Sequence, residues 1–253
     1  MNVTNDGRRH PTRRNEGADM ATILITGANR GLGLEFARQY AEDGWKVIAT
    51  ARKVERNGTL AELAKARRNV SVKTLDVASE ESTKGLAREL KGIPIDVLVL
   101  NSAIYTRNGN KLGELNYEGW RESFETNVLG AVRVAEALLE NVAASEKKQI
   151  VAISSGMGSV GDLGRTIGAG PAYQYRTTKT ALNMTMAILA KDVEARGVSV
   201  VVMSPGWVQT DMGGTGAVLT PEQSISGMRK VLAGNPKELN GKFWSYDGTT
   251  WAW

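Results

Sequence analysis

Short apolar segments recur along the chain and alternate with longer segments of mixed polarity. They are rich in Val, Ile and Leu and run almost unbroken, which is typical of strands that are covered on both faces of a parallel sheet. The predicted strands are Ala21–Thr26, Lys46–Thr50, Val70–Leu75, Ile95–Leu100, Gln149–Ser154, Val198–Ser204 and Lys242–Tyr246.

The segments between these strands place apolar residues at helical spacing. The predicted helices are Leu32–Asp43, Leu60–Arg68, Glu80–Lys91, Glu118–Asn141 and Ala172–Arg196. A strand followed by a helix, repeated along the chain, indicates βαβ units. We therefore expect an α/β fold: a single-domain, Rossmann-type doubly wound sheet of about seven mainly parallel strands, with helices on both faces.

No linker rich in Pro, Gly or Ser divides the chain, so residues 20–253 are predicted to form one domain. Residues 1–19 are polar, lack apolar periodicity and contain no hydrophobic stretch of a secretory signal, which predicts a disordered N-terminal extension. Long irregular loops follow Asn101, Ser155 and Pro205. Each follows a strand, at the edge where open α/β sheets bind ligands.

The composition removes several classes of function. The chain has no cysteine, which excludes disulfides, thiolate catalysis and zinc–thiolate sites, and its one histidine, His10, lies in the polar tail, so we expect no metal site and no Ser-His-Asp triad. The net charge of +5 is modest and forms no basic stripe, so we expect no nucleic-acid partner. No apolar run is long enough to span a membrane, and we expect a cytoplasmic protein.

Three glycines, Gly27, Gly31 and Gly33, lie between the first predicted strand and the first predicted helix. Glycines at this position permit a tight turn and let backbone N–H groups and the helix N-terminus approach a pyrophosphate. Alone, the same spacing also fits an ordinary turn. The strand before it and the helix after it favour a nucleotide-binding loop.

The second strand ends in an arginine where a nucleotide-binding fold often carries an acid. A carboxylate there binds the ribose hydroxyls of the adenosine and selects NAD. Arg52 instead offers a planar fork for a 2′-phosphate, and Arg30 in the glycine loop can meet the same phosphate from the other side. We therefore expect NADP(H) to be preferred over NAD(H). The alternative is that both arginines are solvent-facing loop residues.

Six motifs occur in the order found in one known family. They are Thr26–Gly33, Leu75–Val77, Phe124–Asn127, Ile153–Gly158, Tyr175–Lys179 and Ser204–Thr210. Over residues 20–253 the chain resembles the short-chain dehydrogenase/reductase family, and Pro205–Gly214 and the last residues are similar to its C-factor-like and carbonyl-reductase-like branch. The resemblance implies an NAD(P)-binding domain with integral substrate loops. The cofactor-binding residues it implies, together with the arginines, are Gly27, Asn29, Arg30, Gly31, Leu32, Gly33, Arg52, Asp76, Val77, Asn101, Ala103, Tyr175, Lys179, Pro205, Gly206, Val208 and Thr210.

Two features depart from the usual family pattern. Ile104 stands where the motif after the fourth strand usually has a glycine. Tyr175 follows Ser155 by 20 residues, which is more than the usual gap, so an inserted loop of roughly residues 161–171 is expected to reshape the substrate pocket.

The predicted catalytic residues are Tyr175, Lys179, Ser155 and Asn127. A ketone accepts hydride when its oxygen is stabilised and protonated, and a tyrosine whose pKa is lowered from about 10 can supply the proton. Lys179 lies one helical turn after Tyr175, where a cation lowers the phenol pKa. Ser155 is expected to bond the substrate oxygen. The resemblance implies that Asn127 holds a water that links Lys179 to solvent.

Each of these residues also has a purely structural interpretation. Tyr175 and Lys179 alone fit a surface tyrosine beside a solvated lysine. Ser155 fits a strand cap, with Ser154 as the neighbouring rival that we expect to be buried. Asn127 fits a bend in a helix.

Apolar residues in the ligand-side loops predict a pocket for a hydrophobic or aromatic ketone or aldehyde. The predicted pocket residues are Tyr105, Met157, Trp207 and Met212. The sequence thus favours an NADP-dependent oxidoreductase that interconverts such a carbonyl and its alcohol. The alternative is a nucleotide-binding signalling protein of the C-factor type with little turnover. We also expect a homodimer or homotetramer formed through Glu118–Asn141 and Ala172–Arg196, as is common in the family.

Overall fold

A parallel sheet forms the centre of the molecule, as seen in a computed structural model that describes residues 20–56, 58–106 and 108–253. Within these residues the sheet has seven strands in the order β3-β2-β1-β4-β5-β6-β7, and every neighbouring pair is parallel. The strands are β1 (Thr22–Ile25), β2 (Lys46–Ala51), β3 (Val70–Thr74), β4 (Val97–Leu100), β5 (Gln149–Ile153), β6 (Ser199–Ser204) and β7 (Phe243–Ser245). The predicted extension, residues 1–19, lies outside the described residues.

Helices cover both faces of this sheet. They are α1 (Gly31–Glu42), α2 (Thr59–Ala66), α3 (Glu80–Glu89), α4 (Tyr117–Phe124), α5 (Gly130–Ala137), α6 (Leu139–Ala143), α7 (Leu163–Thr166), α8 (Tyr173–Asp192), α9 (Pro221–Leu232) and α10 (Pro236–Leu239). The predicted Rossmann-type doubly wound fold is therefore confirmed.

Alternate residues of the central strands enter two separate cores. In β1, Ile23 and Ile25 pack with Phe36 of α1 and Met228 of α9, whereas Leu24 packs on the opposite face with Leu182 of α8. Side chains of a strand point alternately to the two faces, so an unbroken apolar run supplies both cores at once. Each fully buried side chain of this size contributes about 1.5–3 kcal/mol relative to an exposed one.

The strand order reverses between β1 and β4, where the chain crosses from one half of the sheet to the other. The carboxyl edge of the sheet at this reversal is where this fold binds its ligands. The loops after β5 and β6 open at the same edge.

The helical predictions differ from the structure in two places. The stretch predicted as one helix, Glu118–Asn141, divides into α4, a π-helical turn at Glu125–Leu129, α5 and α6. Helix α9 was not predicted, although Thr220 and Gln223 form a capping box at its start, with Pro221 as the first helical residue. That signal was present in the sequence.

None of the helices in the described part of the chain combines the length and the apolar composition that a membrane span requires.

Candidate active site

The glycine loop is packed too tightly for a larger residue at either of its two ends, Gly27 and Gly33. Gly27 and Gly31 have φ angles of +66° and +54°, a region that side chains disfavour. A Cβ atom on Gly33 would lie 2.3 Å from the carbonyl oxygen of Gly27. The glycines therefore let the first turn of α1 fold directly against the end of β1.

The loop after β4 is bonded to the start of the glycine loop. The hydroxyl of Thr26 accepts hydrogen bonds from the backbone N–H groups of Asn101 (2.9 Å) and Ser102 (3.0 Å). The side-chain amide of Asn101 donates to the carbonyls of Thr26 (2.9 Å) and Gly27 (3.1 Å). The two loops at the reversal of the sheet are thus fixed to each other, with Ala103 following directly.

The N-terminus of α1 fits the pyrophosphate of a dinucleotide. Arg30 occupies the cap position, and no side chain caps the first turn. The N–H groups of this turn, which belong to Gly31, Leu32 and Gly33, are the groups that such an anion binds. Asn29 in the same loop is exposed.

The two predicted 2′-phosphate ligands lie on the loops after adjacent strands, β1 and β2. Arg52 follows the end of β2 and is exposed. Arg30 is exposed as well, and its guanidinium pairs with the carboxylate of Asp211, 2.5 Å away, on the loop after β6. Asp211 was not predicted, because nothing local in the sequence links it to Arg30.

The residues predicted near the adenine follow β3. The Asp76 carboxylate accepts from the N–H of Ala78 at 3.0 Å, so part of its role is to form a turn. The carbonyl of Val77 accepts from Arg133 at 2.8 Å, which ties this loop to α5.

The loop after β6 closes the other side of the crevice. The carbonyl of Pro205 accepts from Ser224 of α9 at 2.6 Å, and Val208 forms a bridge with Leu219. Gly206 has a φ of +78°, and a Cβ there would lie 2.5 Å from Leu219. Thr210 lies opposite the glycine loop, since a Cβ on Gly31 would be 3.4 Å from its methyl group.

Ser155 and Tyr175 are brought together by the end of β5 and the start of α8. Ser155 lies close enough to Tyr175 for its hydroxyl to act on the pKa of the phenol in the lowering direction, and the same hydroxyl accepts from the N–H of Met157 at 3.2 Å. Ser154 is buried, and its hydroxyl bonds Asn183 at 2.5 Å. Ser154 is thus the buried serine, and Ser155 remains the serine that we predict to face the site.

Lys179 is buried one turn after Tyr175, with its ammonium group 5.7 Å from the centre of the Tyr175 ring. It donates to the carbonyl of Ile153 at 2.8 Å. Burial lowers the pKa of Lys179 to about 8. The interpretation as a solvated surface lysine does not hold.

The expected lowering of the Tyr175 pKa is wrong for the chain alone. Burial raises the pKa of Tyr175 to about 12, the hydrogen bond from Ser155 acts in the lowering direction, and nearby Tyr105 acts in the raising direction. Loss of water around the phenol outweighs the hydrogen bond because the phenolate is the form that needs solvation.

Asn127 lies in the π-helical turn and holds the backbone at Ile104. Its side-chain oxygen accepts from the N–H of Ile104 at 2.8 Å, and its amide donates to the Ile104 carbonyl at 2.9 Å and to the Thr178 hydroxyl at 3.2 Å. Such turns occur frequently at functional sites. Asn127 thus fixes the backbone of Ile104, the residue that stands where the family usually has a glycine.

The predicted pocket residues are spread over three loops. The Tyr105 ring lies 4.9 Å from the Tyr175 ring, centre to centre, and Met157 is half-buried directly after the Ser155 turn. Trp207 is 55% exposed, and its indole N–H donates to Gly213 within its own loop. Met212 lies on the same loop and is half-buried. Trp207 and Met212 as pocket residues remain predictions.

Arg176, which the sequence reasoning did not single out, fixes the end of the inserted loop. Its buried guanidinium donates to the carbonyls of Gly170 and Thr166 at 2.9 and 2.6 Å. An arginine directly after the predicted catalytic tyrosine was the available signal, but its partners are set only by the folded loop.

Across the described residues, no cluster of three or more His, Cys, Asp or Glu side chains is arranged to hold a metal ion.

The chain belongs to the short-chain dehydrogenase family, whose model, described as short chain dehydrogenase, matches residues 21–217. An oxidoreductase of Schizosaccharomyces pombe is 34% identical over 247 residues, which cover 90% of this chain and 96% of the relative. C-signal of Myxococcus xanthus is 36% identical over 160 residues, which cover 63% of this chain and 93% of that protein.

Solved structures of the family are similar as well. The NADPH-bound carbonyl reductase from chicken fatty liver superposes with a TM-score of 0.84 at 30% identity, covering 93% of this chain and all (100%) of that one. Together with the family match, this establishes an oxidoreductase of the short-chain dehydrogenase class.

Proposed function

We propose that this protein is an NADP(H)-dependent oxidoreductase that interconverts a hydrophobic or aromatic ketone or aldehyde and its alcohol. The observation that carries the proposal is the proximity of Ser155 to Tyr175, with buried Lys179 one turn away, at the edge of the sheet where the glycine loop also opens. A protein that only bound a nucleotide would not need a half-buried phenol next to a buried ammonium group at its crevice.

The predicted cofactor residues of the glycine loop and of the loop after β6 would hold the dinucleotide, whose nicotinamide would supply the hydride in reduction and accept it in oxidation. Tyr175 donates the proton to the substrate oxygen, and its raised pKa of about 12 keeps the phenol protonated until substrate arrives. Ser155 orients the same oxygen and stabilises the negative charge that develops on it. Lys179 holds a proton close to the phenol, and Asn127 fixes the backbone that borders the site.

In the alcohol-oxidation direction, Tyr175 must lose its proton first. Desolvation opposes this in the chain alone, so a positive charge close to the phenol is needed to lower its pKa. Lys179 and the oxidised nicotinamide ring are the two sources of such charge in this proposal.

NADP(H) is the proposed cofactor because Arg30 and Arg52 lie on adjacent loops at the adenosine end and no carboxylate follows Ala51 at the end of β2. The NADPH carried by the chicken carbonyl reductase supports this choice. We propose that the remaining predicted cofactor residues also bind NADP(H), as the resemblance to the short-chain dehydrogenase/reductase family implies. A cytoplasmic location belongs to the same proposal.

Reversing the charge at Arg52 tests the cofactor choice. We expect Arg52→Asp to weaken NADPH binding by about 10- to 100-fold, since a charge-assisted hydrogen bond contributes about 1.5–3 kcal/mol, and to leave NADH binding unchanged or tighter. Fluorescence titration gives both dissociation constants. Equal affinities of the unsubstituted protein for NADH and NADPH would contradict the assignment.

Removing the Tyr175 hydroxyl tests the reaction itself. A panel of aliphatic and aromatic ketones and aldehydes, followed by NADPH absorbance, identifies a substrate. With that substrate, Tyr175→Phe should lower turnover by about 10²–10⁴-fold, the usual contribution of general acid–base catalysis. NADPH affinity should change little, because the ring and its packing remain. Tyr117→Phe, which removes an exposed hydroxyl from α4, is the control. Near-normal turnover of Tyr175→Phe would show that another group supplies the proton.

The competing function is a nucleotide-binding signalling protein, and the similarity to C-signal favours it. It predicts tight NADPH binding without turnover of any carbonyl in the panel. Turnover that depends on Tyr175 would exclude it.

A further inference from the structure

The last four described residues, Thr250–Trp253, run back from β7 toward the catalytic serine; we name them the strap. Thr250 bridges Trp244 in antiparallel fashion, and the N–H of Trp251 donates to the Phe243 carbonyl at 2.8 Å. The rings of Trp251 and Trp253 both stack on Phe243, at centre distances of 6.2 and 5.8 Å. The strap is therefore anchored on a buried strand.

Three hydrogen bonds join the strap to the beginning of the inserted loop. The Ser159 hydroxyl donates to the Ala252 carbonyl at 2.6 Å, and the N–H of Gly161 donates to the Trp253 carbonyl at 2.8 Å. The N–H of Ala252 donates to the Asp162 carboxylate at 2.9 Å, which holds the pKa of that carboxyl below its ordinary value. The strap thus fixes both sides of the turn that starts the loop.

Trp251 itself lies against the residue after the catalytic serine. A Cβ on Gly156 would come within 2.6 Å of the outer ring of the indole, so the indole fills the space beside the Ser155 turn. The guanidinium of Arg165 lies 4.4 Å from the centre of a Trp251 ring. Trp251 therefore packs between the Ser155 turn and α7, the helix of the inserted loop.

The far end of the same loop is fixed separately. Arg176 bonds Gly170 and Thr166 and directly follows Tyr175. Since the strap holds residues 159–162 and Arg176 holds residues 166–170, the segment between the two catalytic residues is tied at both ends. A segment held in this way is suited to be a fixed wall and is poorly suited to be a moving lid.

We propose that the strap, through Trp251, positions Ser155 for catalysis and makes the inserted loop a fixed wall of the substrate pocket. The inference rests on the proposed reductase function and deepens it. Trp251 touches neither substrate nor cofactor in this scheme, so it is a positioning residue. Its effect should appear in the carbonyl step and hardly in cofactor binding, because all predicted cofactor residues except Tyr175 and Lys179 lie on the loops after β1, β2, β3, β4 and β6.

Two substitutions at Trp251 and one at Trp244 test the proposal. Trp251→Ala empties the space beside Gly156, and Trp251→Phe keeps the stacking on Phe243 but loses ring atoms that touch Gly156. Trp244→Phe is the matched control, because Trp244 lies on the same hairpin but packs in the core on the opposite face of the sheet.

We expect Trp251→Ala to lower kcat/KM for the carbonyl by about 10- to 100-fold, since an ångström-scale displacement of a catalytic group can cost about 10²-fold. The kcat/KM of Trp251→Phe should lie between those of Trp251→Ala and the unsubstituted protein. In both variants the NADPH dissociation constant should stay within about twofold of the unsubstituted value. Kinetics of Trp251→Ala equal to those of Trp244→Phe would overturn the proposal. If Trp251→Ala does not fold, Trp251→Phe carries the same comparison.

The pH profile separates positioning from general loss of structure. The hydrogen bond from Ser155 favours the phenolate of Tyr175, so its displacement should move the alcohol-oxidation profile to higher pH, while Tyr105 and Lys179, the other titratable groups beside the phenol, stay in place. An unchanged profile in both Trp251 variants would contradict the role of the strap in holding Ser155.

Amide exchange tests the strap without turnover. The N–H of Gly161 and the N–H of Gly156, which donates to the Ser204 hydroxyl at 3.1 Å, should exchange faster in Trp251→Ala than in Trp244→Phe. If the unsubstituted protein reduces no carbonyl, the proposed function fails, and this measurement still decides whether the strap fixes the loop. Equal exchange in the two variants would show that it does not.

Discussion

Burial moves the pKa values of Tyr175 and Lys179 in opposite directions, and both shifts favour the neutral form. The phenol is raised to about 12 and the ammonium is lowered to about 8. Burial thus brings the pKa of Lys179 close to neutral pH, whereas it moves the pKa of Tyr175 further away and keeps the phenol protonated. The protein accepts a destabilising buried lysine at this position, which is a common property of active sites.

The buried lysine should leave a signature in stability. Between pH 8 and pH 10.5 the unfolded chain holds a proton on Lys179 that the folded chain has lost, so stability rises with pH across this window. In this pH range, we expect the free energy of unfolding of the unsubstituted protein to rise relative to that of Lys179→Met by up to about 1.4 kcal/mol per pH unit. The raised pKa of Tyr175 acts in the opposite direction above pH 10, equally in both proteins.

Urea unfolding at pH 7, 8, 9 and 10 measures this difference. Lys191→Met is the control, since Lys191 is 76% exposed on the same helix, and its curve should run parallel to that of the unsubstituted protein. Parallel curves for Lys179→Met as well would mean that Lys179 has an ordinary pKa in the folded protein.

At the residue scale, the sequence predicts which residues lie close together better than it predicts how far each residue is shielded from water. The spacing of Tyr175 and Lys179 on one helix predicted that they lie together, because helix geometry alone fixes that relation. It did not predict that desolvation outweighs the hydrogen bond at Tyr175, since burial depends on the loops that fold over the site. Asp211 was missed for the same reason: it is 181 residues from its partner Arg30.

Among the elements, the predicted strands agree with the structure within a few residues, and the helices agree less well. The strands are apolar runs buried on both faces, a signal that survives without tertiary context. The break in the helix at Glu125–Leu129 carries no comparable signal, because the π-helical turn is paired with Ile104 of a distant loop through Asn127. The anchoring of the inserted loop could not be predicted from the sequence either, because it depends on contacts with Trp251 and Arg176 that form only in the folded protein.

The loops after β1 and β6 meet through the ion pair of Arg30 and Asp211. Under the proposed NADP(H) binding, this pair would compete with the 2′-phosphate for Arg30. Both side chains are exposed, at 72% and 73%, so the pair contributes only about 0.2–1 kcal/mol. We expect Asp211→Asn to tighten NADPH binding by about two- to fivefold at low salt, because Arg30 is then released to the phosphate, and to leave NADH binding unchanged.

Titration of both cofactors, with Glu194→Gln as the control, measures this effect. Glu194 forms an exposed ion pair with Lys191 outside the loops of the crevice, so its removal should change neither affinity. Equal tightening of NADH and NADPH by Asp211→Asn would show that Arg30 does not contact the 2′-phosphate.

In the whole molecule, the sheet places the predicted cofactor-binding and catalytic residues at one edge, and the helices complete two cores. Helix α8 contributes to both: Leu182 and Met186 enter the core, and Tyr175 and Lys179 are the residues proposed for catalysis. A third side of the same helix is left to solvent. Apolar side chains stand there, including Met184, which is 64% exposed, and Ile188, which is 54% exposed.

Helix α4, which packs beside α8, exposes apolar side chains as well, including Tyr117 at 62% and Phe124 at 38%. Exposed apolar groups gathered on adjacent elements mark interaction surfaces. We therefore expect a homodimer or homotetramer through α4 and α8, and light scattering at micromolar concentration should give at least twice the chain mass of 27.3 kDa.

Met184→Glu should weaken the assembly, because it places a charge in an interface from which water is excluded. Val218→Glu changes an equally exposed apolar residue on the loop after β6 and should leave the mass unchanged. A monomeric mass for the unsubstituted protein would refute the assembly, and an unchanged oligomer in Met184→Glu would place the interface elsewhere.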